Sequence, residues 1–298
     1  MSDSGLQTSD YGVRIAGCAL LAMSVLAVGP AHAQQQVPRE RPGWPCVGRP
    51  DPAYVRTAEA TGGQVFLFDK SEIGESAALM IASSRHTETI FRVSGSVTDG
   101  VHDFVVPIDS TVESVMISVS LQCLQVADVT TPSGAGLRAN DPGVDYHQFE
   151  AGRIVTVASP APGAWKVTIS GRGLFFLVVQ AKTALTLGTA RFVTPGGRPG
   201  HDGLFPVKAP LPAGSPRLLE VDLHGAAHDV TFRFVSSQGD ALQDLVLARQ
   251  EGGSEDDQTF VGEVTPKAAE YRLQVSGVDG KGFPFTRMHA PLFIEAHP

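Results

Sequence analysis

The chain has 298 residues, of which 42% are hydrophobic and only 18% charged, and its formal net charge is −8. A coiled coil would be rich in Ala, Glu, Lys and Leu, a disordered chain would be poor in Val, Ile, Leu and Phe, and a nucleic-acid binder would need a basic face; none of these fits. With 32 Gly and 21 Pro between short apolar runs, the composition points to many turns and many strands.

The first element reads as an export signal. Arg14 precedes a short apolar run from Ile15 to Val28, Gly29-Pro30 breaks it, and Ala31-His32-Ala33 gives the A-x-A pattern of signal peptidase cleavage. The run is shorter than the ~20 residues of a comfortable transmembrane helix. Residues 1–33 are therefore expected to be a signal peptide cut after Ala33, and the mature chain is expected to be exported, periplasmic or extracellular, with no membrane span. An oxidising compartment leaves one disulfide open, Cys46 to Cys123, with two unpaired buried thiols as the alternative.

Residues 34–52 read as an extended, Pro-rich arm. Residues 53–86 read as helix, strand, helix: a short helical pattern over Tyr54–Ala60, a strand over Gln64–Phe68, and a helix over Ser71–Ser84 with Ile73, Ala77, Leu79, Met80 and Ile81 inward. From Thr87 the period is two. Val115, Ile117, Val119 and Leu121 alternate with Ser114, Ser118, Ser120 and Gln122, and Trp165, Val167 and Ile169 alternate with Lys166, Thr168 and Ser170. Leu174–Val179 is a continuous apolar run, as in a central strand. The Gly- and Pro-rich stretch Thr194–Gly203 reads as a linker crossed by few contacts. Beyond it Leu219, Val221 and Leu223, then Val230, Phe232 and Phe234, then Tyr271, Leu273 and Val275 restart the alternation, with Arg272 and Gln274 on the outward side. The fold class is mainly β: two tandem antiparallel β-sandwiches, over residues 87–190 and 191–298.

Several short stretches in order resemble one family. Thr57-Ala58-Glu59-Ala60-Thr61-Gly62-Gly63-Gln64-Val65-Phe66 resembles the end of the von Willebrand factor A domain of hemicentins and related extracellular proteins. Val106-Pro107-Ile108-Asp109-Ser110-Thr111, Gly152-Arg153-Ile154-Val155-Thr156 and Pro162-Gly163-Ala164-Trp165-Lys166-Val167 resemble the module that follows it. The resemblance implies that 53–86 is a remnant of an A domain, that the first sandwich is a galactose-binding-like jelly roll and that the second is Ig-like. The metal-binding D-x-S-x-S loop of intact A domains has no counterpart. Asp109-Ser110-Thr111-Val112-Glu113 is the nearest string and it precedes a strand, so metal-dependent adhesion does not carry over.

Four motifs have chemical readings. Gly74-Glu75-Ser76-Ala77-Ala78 is near the G-x-S-x-G nucleophile elbow, but Ser76 falls inside a predicted helix rather than on a strand-to-helix turn. His224-Gly225-Ala226-Ala227-His228 has the spacing of a helical metal site, but it lacks the glutamate and lies between strands, so it reads as a turn with two solvated histidines. The acidic run Glu251–Asp257 does not match a calcium loop and reads as a hairpin tip. Trp165 would suit sugar stacking, yet it shares its face with Val167 and Ile169 and reads as core. The expectation is a non-enzymatic interaction or adhesion protein with no catalytic residues, no metal and no cofactor. Its partner would be a protein or a surface polymer, not nucleic acid. A carbohydrate-binding or enzyme-accessory module is the alternative, and a hydrolase built on Ser76 a more distant one. If the export reading holds, mass spectrometry of protein recovered from the source organism finds Gln34 at the N-terminus; an intact Met1 on a cytoplasmic protein would contradict it.

Overall fold

The computed structural model describes residues 46–207, 211–212, 214–267, 270–289 and 292–295. The expected signal peptide, with its cleavage after Ala33, and most of the expected Pro-rich arm lie outside them. The chain is mainly β, with antiparallel sheets and few helices. A cover comes first: α1 (Pro52–Ala60), a 3-10 turn (Lys70–Glu75) and α2 (Ser76–Ser84). The first sandwich follows, from β1 (Glu88–Val97), β2 (Val101–Ile108), β3 (Val112–Thr130), β4 (Val144–Phe149), β5 (Gly152–Ala158) and β6 (Gly163–Thr183).

Two strands dominate this sandwich. β3 has 19 residues and β6 has 21, and they pair antiparallel along nearly their whole length. The second half of β6 carries β1 on its other edge, while the first half carries β2. Between the halves the register slips at Leu121/Cys123 and again at Leu124/Val126, and Gly171 and Gly173 take φ of 143° and 103°. Bulges and glycines at one place bend a strand from one layer into the next. The bend lets one sheet close on itself, so that Val106, Trp165 and Val167 from one half meet Ile90, Ile117 and Leu177 from the other in a single core.

In the first sandwich the predicted one-sided alternation holds for the first half of β6, where Trp165 and Val167 are buried and Ala164 and Lys166 exposed. From Val115 to Leu121 and from Phe175 to Ala181 every residue is buried. The cause is the cover, which lies on the outer face. Val65 and Leu67 pack with Ala151 and Phe176, and Phe66 packs with Met116, Phe149 and Ile154. A buried side chain of this size contributes about 1.5–3 kcal/mol. The disulfide Cys46–Cys123, with Cα atoms 4.3 Å apart, pins the start of the cover to β3, and Val47 N–H donates to Gln122 O at 3.0 Å.

Three expectations for the cover are corrected. Gln64–Phe68 is no strand and joins no ladder. Its polar groups turn to side chains instead: Leu67 N–H donates to Ser120 Oγ, the Ser118 hydroxyl donates to Gln64 Oε1, and the buried Arg92 donates to the carbonyls of Gly62 and Gly63. The helix read over Ser71–Ser84 is split. Asp69 caps a 3-10 turn in a capping box with Glu72, and the α-helix begins only at Ser76. Met80 and Ile81, expected inward, are 51% and 57% exposed, while Ser83 and His86 are buried. The His86 ring, hydrogen-bonded to Ala82 O at 2.8 Å and Ser114 Oγ at 3.0 Å, ties the end of α2 to β3.

The second sandwich contains β7 (Thr186–Arg198), β8 (His201–Pro206), β9 (Leu211–Pro212), β10 (Arg217–His224), β11 (Ala227–Val235), β12 (Ala241–Leu245), β13 (Ala248–Arg249), β14 (Asp257–Val264), β15 (Glu270–Asp279), β16 (Pro284–Met288) and β17 (Leu292–Glu295). One sheet runs β13-β14-β10-β7-β8, the other β12-β11-β15-β17-β9 with β16 on β15. Leu219, Val221, Leu223 and Phe260 from the first sheet meet Phe232, Phe234, Tyr271 and Leu273 from the second in one core.

The stretch Thr194–Gly203 is no linker. It is a β-hairpin, with Thr194 opposite Phe205 and Arg198 opposite His201. The change of core falls earlier, between Ala181 and Leu185, so Thr186–Ala190 belongs to the second sandwich and not the first. Nor are contacts across the junction few. β1 lies against β16: Arg92 N–H donates to Met288 Sδ at 3.1 Å, and Ser94 N–H donates to Ser237 O at 2.8 Å. Ser110 donates from both its backbone N–H and its hydroxyl to Asp279, at 2.8 and 2.6 Å. Burial alone would raise the Asp279 carboxyl, but the Ser110 hydroxyl and the backbone N–H groups of Phe283, Ser110 and Lys281 outweigh it and hold the carboxyl below its ordinary value.

The bend is open to a direct test. A Cβ on Gly171 would lie 2.1 Å from Cys123 O, at a φ that side chains rarely adopt. Gly171→Ala is expected to cost about 2–4 kcal/mol in urea unfolding, whereas Gly136→Ala, with nothing within 4 Å, changes little.

Candidate functional site

A cleft of about 360 Å3 opens where α1, the first sandwich and the second sandwich meet. Ligand sites favour such junctions, because walls from separate units make a concave surface. α1 supplies one wall. Asp51 caps it through Ala53 N–H at 2.8 Å, and Pro52 sits in the first turn, where no N–H is needed. Ala58 is fully buried under the helix. Val55, Arg56, Glu59 and Ala60, spaced i, i+1, i+4 and i+5, form the face that lines the cleft. The floor is Ser94 and Gly95 of β1 with Leu174 and Phe176 of β6, where Ser94 pairs with Phe176. The far wall is Ser237, in the β11–β12 turn, and Glu270 at the start of β15.

One buried cation organises the polar part. Arg272 was expected on the outward side of its strand, but its side chain is only 2% exposed because the first sandwich and α1 cover that side. It pairs with Glu59, donates to Ser237 O at 3.0 Å and reaches Ser94 Oγ at 3.5 Å. Three of the residues lining the cleft are thus the partners of Arg272. Burial pushes its guanidinium down to about 10, so it stays charged at neutral pH. The cleft therefore offers an apolar strip of Val55, Ala60, Leu174 and Phe176 beside a wall of carboxylate, hydroxyl and backbone groups, with exposed Arg56 and Glu270 at the rim. That suits recognition of a molecule with one apolar and one hydrogen-bonding edge.

The residues singled out in the sequence lie elsewhere. Ser76 opens α2 directly after the 3-10 turn, not at a strand-to-helix elbow. His224 ends β10 and His228 lies near the start of β11, with Gly225 and Ala226 between the two strands; both histidines are exposed, and His224 Nδ1 lies 2.7 Å from Asp257 Oδ1. Glu251–Asp257 runs across the exposed tip between β13 and β14. Trp165 is 2% exposed and donates its indole N–H to Ala161 O at 2.8 Å, so it presents no platform. Asp109 is buried at the junction between the sandwiches. Among the described residues no group of three or more His, Cys, Asp or Glu comes together as metal ligands would, and no helix is long and apolar enough to cross a membrane. Sequence reading missed the cleft. Its only trace was an arginine on an outward strand position, which looks like any solvated charge.

The first sandwich is similar to a known module. Residues 89–184 match the family model of the hemicentin galactose-binding domain-like domain. The match starts at the second residue of β1 and ends just past β6, so it takes in the first sandwich and leaves out the cover and the second sandwich. No curated protein matches the chain. A crystal structure of Bacillus licheniformis lipase BlEst2 in its propeptide form is similar over 68% of this chain and 41% of that one, at 11% identity and a TM-score of 0.30. The chain spans less than half of that lipase chain, and a likeness this distant carries no argument about fold or chemistry.

Arg272→Ala would leave Glu59 without its counter-charge in a nearly closed setting. We expect a loss of about 3–5 kcal/mol by chemical denaturation. Adding Glu59→Leu to it should recover much of the loss, because the orphaned charge goes with it.

Proposed function

We propose that this protein is an exported, non-enzymatic recognition module whose partner, a protein or a surface polymer, docks in the cleft between α1 and the two sandwiches. The observation that carries the reading is the match of the first sandwich to the hemicentin galactose-binding-like module, with the cleft built against that same sandwich through Ser94, Gly95, Leu174 and Phe176. In this reading the second sandwich is an Ig-like module and the cover descends from the end of an A domain. The absence of an assigned catalytic group is part of the proposal: Ser76, His224 and His228 act in no reaction.

A second reading, a carbohydrate-binding module, is favoured by one feature of the cleft, the apolar strip beside hydroxyl and carboxylate groups. A sugar has the same two-sided character. Fold alone does not choose between the two, because galactose-binding-like describes an architecture.

The test is a binding screen of residues 34–298 against glycans and envelope proteins, run beside an esterase, protease and glycosidase panel. Ala60→Trp fills the cleft from an exposed helix position, so it should abolish binding while moving stability by no more than about 0.5 kcal/mol. Binding that survives Ala60→Trp would place the site elsewhere. Turnover lost in Ser76→Ala would overturn the non-enzymatic reading.

A further inference from the structure

At the far end of β1 from the cleft, two carboxylates face one guanidinium. Asp109 and Arg287 have fully buried side chains, and that of Glu88 is 12% exposed. Asp109 follows β2, Glu88 opens β1, and Arg287 comes from β16 in the other sandwich. The guanidinium is not shared evenly. Its Nη1 lies 2.8 Å from Asp109 Oδ2, a close ion contact rather than an aligned hydrogen bond, whereas its Nε lies 3.9 Å from Glu88 Oε1. Its donors are already committed to Leu185 O at 2.8 Å, Thr286 O at 2.8 Å and Thr183 Oγ1 at 3.2 Å. Among the described residues Glu88 is left with one neutral donor, Leu187 N–H of β7, at 2.9 Å. The remaining titratable group that acts on it is His224 at the end of β10, which is itself paired with Asp257. With both carboxylates ionised, the site holds one more negative than positive charge in a place that water barely reaches. A single proton balances it.

We propose that Glu88, Asp109 and Arg287 form a proton-operated latch on the seam between the two sandwiches: a proton on Glu88 tightens the seam, and its loss loosens it. The latch stands on geometry at the seam and does not require the cleft to be a binding site. Burial pushes Glu88 up to about 7; the Leu187 N–H and Arg287 pull it back, Asp109 pushes it further up, and His224 pulls weakly down. The sign follows. In the unfolded chain Glu88 titrates near its ordinary value of 4.5, so the folded state binds the proton more tightly. Its contribution to stability is present in full below that value and falls away as pH rises through about 7. This is the reverse of an ordinary paired carboxylate, which stabilises at neutral pH and fails in acid. The physical reason is that Asp109 has already taken the counter-ion.

Two amides read the latch directly. Leu187 N–H touches Glu88, and Ser94 N–H crosses the seam to Ser237 O further along the same strand. In nuclear magnetic resonance titrations of the wild-type protein, the Leu187 amide should shift with a midpoint near 7. Ser94 exchange protection, corrected for the intrinsic pH dependence of exchange, should be several-fold lower at pH 8 than at pH 5. Glu88→Gln keeps an oxygen for Leu187 and removes the charge. It should abolish the Leu187 titration and hold Ser94 protection at its acid level, and its melting temperature should fall less between pH 5 and pH 8 than that of the wild type. A Leu187 midpoint in the ordinary carboxylate range would overturn the proposal. So would a normal Leu187 titration with Ser94 protection unchanged, which would confine the proton to a local site. Both measurements on the wild type stand even if Glu88→Gln does not fold.

Discussion

A strand of 21 residues is too long for one layer of a small sandwich, and β6 solves this by bending at Gly171 together with β3. The rest of the first sandwich depends on that corner. It sets β2 against one half of β6 and β1 against the other, and it turns one sheet into two layers around Ile117, Leu177 and Trp165. It also creates the problem that the cover answers. The layer with Phe176 and Met116 on its outside has a second apolar face, which a two-layer sandwich leaves in water. Val65, Phe66 and Leu67 close it. α1, positioned by that closure, then becomes one wall of the cleft.

The seam works by a different rule. Two buried arginines, one toward each end, lean across it, Arg272 to Glu59 and Arg287 to Asp109. Buried ion pairs cost desolvation that their attraction barely returns, so they are a poor source of net stability. They are strict about geometry, however. A seam of apolar contacts alone can slide, whereas one carrying buried charges has one register in which each guanidinium meets its carboxylate. The backbone bonds from Ser94 and Ser110 then hold that register. The two sandwiches therefore behave as one body with a charged joint, not as beads on a string.

Much of the architecture was legible in the sequence, because period-two alternation with one buried face is a strong signal. Leu219, Val221 and Leu223, and likewise Phe232 and Phe234, lie where alternation put them. The central position of the run Leu174–Val179 follows from its having no polar side, and β6 is indeed flanked on both edges. What was hidden depends on residues far apart. Ser118 and Ser120 alternate with valines and look like a wet face, but a serine is small enough to lie under a cover that accepts and donates its hydrogen bonds. Gly196 and Gly197 hide the period of β7, so a hairpin looked like a linker. The cleft could not be read at all, because its walls come from three parts of the chain and its hub, Arg272, is polar by composition and buried only by assembly.

The order of synthesis runs against the order of packing. The cover is made first, but Gln64 finds Ser118 only 54 residues later and Gln180 only 116 residues later. While the chain is being made, Phe66 waits for Met116, Phe149 and Ile154, and Val65 and Leu67 wait for Ala151 and Phe176. Such an apolar segment waiting for its strand is what holding chaperones bind. The cover is thus made before any of the surface it lies on, and Cys46 waits 77 residues for Cys123.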